Sequence, residues 1–312
     1  MLFTQTEKYL NTIQSVNMKS YTLFSLLLTF VFFASCSSLR SLDELSESAE
    51  SAYKAGNQEE AFEAYNRLIS AHRNHGREPD GQVYQRAGLL AFELNETAKA
   101  IEYLELARHS QAVDDKTYLT LAKAYREIDN LSREITMLEQ YVGGYPHGPD
   151  FQDMQRRYFQ TLVESLNYQQ AYALWPQLSA EAGSDEALLT AYLQTLQALG
   201  HERQATLKAE EILSLNRNNI KALDWLAKRH FRQADELYRR EMQAYEQNRT
   251  HRQYAQLLEA LEVINTDLRI ALDYFKRLYA QDPRSEYARY LANIYERFQD
   301  DENARYYRRR AP

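Results

Sequence analysis

A single cysteine, Cys36, stands in the 312 residues, so no internal disulfide framework holds this chain together and its stability has to come from packing. Proline and glycine are scarce, 6 and 9, and nearly all of them fall between segments of regular apolar spacing. Strand signals are missing, because no segment alternates apolar and polar residues over several positions. The uncharged run Thr22 to Ser35 has only 14 residues, short of the roughly 20 that a membrane-spanning helix needs. A net charge of −7 argues against a general nucleic-acid binder. There is no glycine-rich phosphate loop and no H-E-x-x-H pair. His72 and His75 stand three apart in a polar connection with no acidic or cysteine partner, so no metal or cofactor is expected. Serine, histidine and aspartate are present, but without strands there is no nucleophile elbow, and the acidic runs at Glu59, Glu210 and Asp300 read as helix starts or polar faces. No catalytic residue is assigned, and the chain is not read as an enzyme.

What is there is repetition. Ala61, Ala100, Ala171, Ala205, Ala271 and Ala304, with Glu134, mark one point in seven helix-turn-helix units, and the intervals 100 to 134 and 171 to 205 both equal 34 residues. The clearest unit carries Tyr118, Leu121, Ala122 and Tyr125, a turn at Asp129-Asn130, then Glu134, Leu138, Tyr141 and Pro146. Apolar residues recur at i, i+3, i+4 and i+7, so each half is an amphipathic helix with one buried stripe. Gly200 stands where the first helix of its unit must stop in a left-handed cap. A weaker first copy runs Ala49, Tyr53, Gly56, Ala61, Tyr65 and Leu68, and a weaker last one Leu291, Ala292, Tyr295 and Ala304, as suits capping positions. Glu134 takes the place of a small residue and is expected to widen its helical pair. Between Ala205 and Ala271 the stripe runs on without a breaker, which predicts a hairpin of two overlong helices over 219–283; the alternative is a hidden repeat turning at Asn265-Thr266.

These units resemble the tetratricopeptide repeat over about Leu42 to Arg310. The resemblance implies an all-α tetratricopeptide-type solenoid of about seven helix-turn-helix units, with one elongated helical hairpin near the C-terminus. It also implies that the first helix of each unit lines a groove that takes a protein or peptide. Carried onto this chain, the inward positions are Gln85, Leu89 and Phe92; Leu119, Lys123 and Arg126; Arg156, Gln160 and Val163; and Thr190, Gln194 and Gln197. Their arginine, lysine and glutamine content suits an extended peptide with acidic or backbone groups. The family's lysine-asparagine clamp for a terminal carboxylate is missing, with Leu89, Thr120 and Asp153 at the matching places.

Ahead of the repeats, Met18-Lys19-Ser20-Tyr21, the apolar run and Phe33-Ala34-Ser35-Cys36 resemble the signal peptide and lipobox of bacterial lipoproteins, with phenylalanine in place of the usual leucine. This implies a signal peptide over 1–35 with Met18 as the expected start, acylation of Cys36, a tether over 36–41, and the repeats over 42–312. Ser37 is not an inner-membrane retention signal of the aspartate kind, so an outer-membrane lipid anchor in the bacterial envelope is expected. The function expected is a membrane-tethered protein-binding scaffold. The rivals are a glycan-capturing lipoprotein, for which Trp175 and Trp225 read as too buried, and a glycan-cleaving enzyme on a solenoid frame.

Overall fold

The computed structural model describes residues 41–311, apart from the side chain of Glu181; the expected leader, Met18 and Cys36 lie outside the described residues. Among the described residues there are fourteen helices in seven consecutive pairs and no strand. They fall into two compact units that divide between Thr117 and Tyr118, inside the fifth helix.

The first unit holds α1 (Leu42–Lys54), α2 (Gln58–Asn74), α3 (Gly81–Glu93) and α4 (Thr97–His109). Ser41 starts α1 with a capping box: its hydroxyl accepts from the Glu44 amide at 3.2 Å, and the Glu44 carboxylate accepts from the Ser41 amide at 3.3 Å. Ala49 and Ala61 are fully buried, and Tyr65 and Leu68 fill the groove beside them. In the next pair a Cβ at Gly88 would stand 2.6 Å from Leu104 Cγ, so α3 and α4 approach more closely there than any other residue type allows.

The second unit holds the rest of α5 (Asp115–Glu127), then α6 (Leu131–Gly144), α7 (Phe151–Glu164), α8 (Tyr168–Ala182), α9 (Glu186–Ala198) and α10 (Glu202–Leu215). It continues with α11 (Ile220–Gln247), α12 (His251–Gln281), α13 (Ser285–Arg297) and α14 (Asp301–Arg308). One core gathers Phe159, Leu162, Trp175, Leu193, Ala205 and Ile212; another gathers Leu223, Ile264, Leu268, Phe275, Tyr287 and Leu291.

Six of the seven pairs close in the same way. Five positions before each crossing residue the chain enters the left-handed region, at Gly56, Asn95, Asp129, Leu166, Gly200 and Gln299. The next residue's amide then donates back to a carbonyl in the last turn of the first helix: Asn57 to Ala52, Glu96 to Ala91, Asn130 to Tyr125, Asn167 to Leu162, His201 to Leu196 and Asp300 to Tyr295. This six-to-one bond satisfies a carbonyl that the helix end leaves open and fixes the angle at which the second helix returns.

The remaining pair, sixth along the chain, lacks that closure. Thr266, five positions before Ala271, lies inside α12, so Asn265-Thr266 is helix and the hidden-repeat alternative is excluded. The arms α11 and α12 have 28 and 31 residues against 13 in α13, and α11 is about 42 Å long at 1.5 Å per residue. They turn at Asn248 to Thr250, where the Thr250 hydroxyl accepts from the Gln253 amide and caps α12. The expected all-α architecture of seven helix-turn-helix units with one elongated hairpin is therefore the observed one.

One local expectation is refined. The Glu134 position holds a charged pair: its carboxylate, 1% exposed, meets Arg157 of α7. Tyr65, Tyr84, Tyr103, Tyr125, Tyr141 and Tyr287 are buried, Tyr53 is 40% exposed, and most of the other described tyrosines lie half-buried.

Candidate binding surface

In the first unit, the Gln85 amide of α3 donates to Thr117 Oγ1 at 2.9 Å, and Thr117 also engages Asp114. That side chain is thus held within the unit. Leu89 and Phe92 are half-buried, and Phe92 packs against the apolar core.

In the second unit the positions read as inward gather around two depressions. The smaller, of about 160 Å³, is floored by Leu119, Ala122, Leu138 and Met154, and rimmed by Lys123 and Arg126 on one element and Asp150 and Asp153 on others. Lys123 and Arg126 are exposed, and neither has an ion-pair partner among the described residues. Inside it, Arg157 donates to both oxygens of Glu134, at 2.6 and 3.0 Å, and to Glu164 at 2.9 and 3.0 Å. Desolvation acts to lower the Arg157 pKa, but the hydrogen bonds it donates to Glu134 and Glu164, with their negative charges, outweigh it and the value is raised, so the guanidinium stays charged.

The larger depression, of about 570 Å³, lies across α7 and α9. Gln160, Val163, Thr190 and Gln194, all expected inward positions, line it together with Glu164, Glu186, Ala187, Ala191 and Asn219. Its polar wall is pre-organised. Asn219 caps α11 by accepting from the Ala222 amide, and its own amide group donates to Glu186 at 2.8 Å and to Thr190 at 3.0 Å. Asn216 adds a second bond to Glu186 at 2.7 Å.

Arg156 and Gln197 are half-buried and line neither depression; the Arg156 Nε is buried and makes no hydrogen bond. Sequence reasoning missed Glu164, Glu186 and Asn219. The first two stand one helical turn from Gln160 and Thr190, so extending each inward stripe by four residues finds them. Asn219 precedes its helix and reaches the wall through capping, which no stripe reveals.

Likeness to solved structures is broad and shallow. The C-terminal part of a TPR repeat-containing protein from Cytophaga hutchinsonii shares 15% identity, with 84% of this chain and 92% of that one covered at a TM-score of 0.49. A TPR repeats protein from Bacteroides fragilis shares 16%, with 81% and 97% covered at 0.34. YrrB, a TPR protein with an unusual peptide-binding site, shares 10%, with 56% and 87% covered at 0.43. At these values the likenesses add no argument to the repeat geometry itself. No curated protein matches the sequence significantly. The family described as Tetratricopeptide repeat matches residues 47–75, the copy that reads as the weaker, terminal one. That match spans one helical pair, and five of the other pairs repeat its closure, so a tetratricopeptide-type helix-turn-helix geometry recurs along the described residues.

Proposed function

We propose that this protein is a membrane-tethered scaffold of the bacterial cell envelope that binds a protein or peptide partner on the faces of its first helices. The observation that carries the reading is the depression across α7 and α9. Its 570 Å³ falls in the range of ligand sites, and amide, hydroxyl and carboxylate groups converge on it from a wall already fixed by hydrogen bonds. Amide forks pair with peptide oxygens and amides, so an extended segment is the ligand they match. Repeat arrays offer such surfaces preformed, which limits the ordering entropy lost on binding.

A stacked sugar is matched less well. Trp175 is 7% exposed beneath Tyr192, with ring centroids 4.0 Å apart, and Trp225 is half-buried with its indole N–H toward Thr206. The tether part of the proposal rests on the lipobox-like residues Phe33 to Cys36. Acyl chains on Cys36 would contribute about 0.8 kcal/mol of membrane affinity per buried methylene. We place the anchor in the outer membrane, on the character of Ser37.

Both parts have tests. Replacing Gln160, Thr190 and Gln194 together by alanine should leave the melting temperature within a few degrees of wild type and abolish co-purification of the partner. Retained partner with those three side chains gone would refute the surface. Cys36→Ser should end labelling by a fatty-acid probe and release the protein from membranes; unchanged labelling would refute the anchor.

A further inference from the structure

The hairpin of α11 and α12 outruns its neighbours. Arg297, the last residue of α13, bonds to Asp235 and sits over the Tyr238 ring at 4.9 Å, and beyond that level α11 runs on from Arg239 to Gln247 while α12 returns from His251. Over 239–260 only Leu257 is buried, at 6% exposure. Helices draw most of their stability from the faces they pack, so this part of the hairpin is held by little of its own.

One side of it shows an apolar strip. Tyr254 and Leu258 stand one turn apart on α12, 49% and 46% exposed, with exposed Ala255 between them and half-buried Leu261 continuing the spacing. Across the turn the Tyr245 ring lies 5.8 Å from that of Tyr254 and extends the strip onto α11. Charge is divided about it. On the tip side stand Arg249, His251 and Arg252, which keep a positive excess when Glu246 is counted with them, and on the other side stand Glu259 and Glu262. All of these are exposed, and none has an ion-pair partner among the described residues. The arginines of the facing arm, Arg239 and Arg240, already pair with Asp235 and Glu241.

A strip with bases at one end and acids at the other complements itself when it is turned end for end. We propose that the hairpin binds a second copy of this chain, α12 against α12 in antiparallel register about a two-fold axis near Ala255. Tyr254 of one copy lies against Leu258 of the other, small Ala255 lets the helices approach, and Arg249 and Arg252 meet Glu259 and Glu262 at both ends of the contact. The parallel arrangement sets each charge against its like and is rejected. Together the two hairpins form a four-helix bundle that covers the strip each leaves exposed alone. This contact lies on other elements than the depression across α7 and α9 and does not depend on it.

The test is sedimentation of the full chain in detergent, with Cys36→Ser throughout. The chain with its hairpin intact should give a dimer that dissociates on dilution. Tyr254→Glu/Leu258→Glu removes the strip at two exposed positions and should leave a monomer with an unchanged circular dichroism melt. Two charge variants check the register. Glu259→Arg/Glu262→Arg makes both ends of the strip basic and Arg249→Glu/Arg252→Glu makes both acidic, so each alone should dimerise about tenfold more weakly. A mixture of the two should recover the original affinity as a heterodimer. A monomer at every concentration would overturn the proposal. So would a dimer that survives the loss of Tyr254 and Leu258, charge variants that fail to rescue each other, or a monomer that carries a different protein on the hairpin.

Discussion

Arg157 of α7 donates to both carboxylate oxygens of Glu134 of α6 at 2.6 and 3.0 Å, and Glu134 is 1% exposed. The repeat puts a small residue at this crossing in its other units, so the pair replaces close packing by a bidentate ionic bridge between neighbouring repeats. The asymmetry of the bridge makes a sharp prediction. Arg157→Met strands a buried carboxylate and should cost about 3 to 5 kcal/mol. Glu134→Ala leaves Arg157 its second partner, Glu164, and should cost less. The double variant should recover at least half of the Arg157→Met loss in urea unfolding; equal losses in the two single variants would contradict this account.

Leu166 holds the left-handed position of its turn at φ 62 while 69% exposed, so its side chain packs little and its backbone is strained. Leu166→Gly should raise stability by about 1 kcal/mol. The mirror substitution, Gly200→Leu at φ 72, should lower it by about 1 to 2 kcal/mol. Paired chemical-denaturation curves decide it, and a destabilised Leu166→Gly would show that the exposed side chain contributes more than the backbone strain costs.

How much of this was legible in the sequence follows from the range of the forces involved. The helical pairs were readable because each stripe is local: Tyr118 to Tyr125 and Glu134 to Tyr141 record buried faces within a few turns. The hairpin was readable because nothing interrupts Leu223 through Tyr245. Gly200 announced its left-handed cap, but Leu166 concealed one, since leucine is disfavoured where the repeat geometry forces it. Glu134 could be seen as an intrusion, whereas its partner lies 23 residues away on another helix and no periodicity links them. The polar wall of the larger depression was hidden for the same reason, because Asn216 and Asn219 reach Glu186 from about one repeat away.

Gly88 faces Leu104 so closely that an added Cβ would stand 2.6 Å from Leu104 Cγ and 3.0 Å from its backbone nitrogen. Gly88→Ala should therefore lower stability by about 1 to 3 kcal/mol despite alanine's better helix propensity. Gly143→Ala, with open space around the new methyl, is the control and should be neutral or slightly stabilising. Equal melting temperatures for the two variants would show that α3 and α4 do not approach as described.

Burial pushes the Tyr65 and Tyr287 phenols up to about 12, with Tyr53 assisting in the first case and Asp224 in the second. Because these groups keep their protons in the fold and lose them near 10 when unfolded, their contribution is complete below pH 10 and is lost as pH rises from about 10 to 12. Urea midpoints should hold steady from pH 8 to 9.5 and fall beyond 10. Tyr65→Phe and Tyr287→Phe should each flatten that fall; an unchanged slope in both would remove these two groups as its cause.

Photo-crosslinking in intact cells, from a reactive residue placed at Gln194 inside the larger depression, asks most directly whether the α7 and α9 face holds the partner. Leu207 on α10, 59% exposed, serves as the comparison position, and the hairpin tip at Asn248 as a second. The account predicts a discrete protein adduct from Gln194 that is absent from Leu207. Adducts of equal yield from both, or adducts only from Asn248, would contradict it.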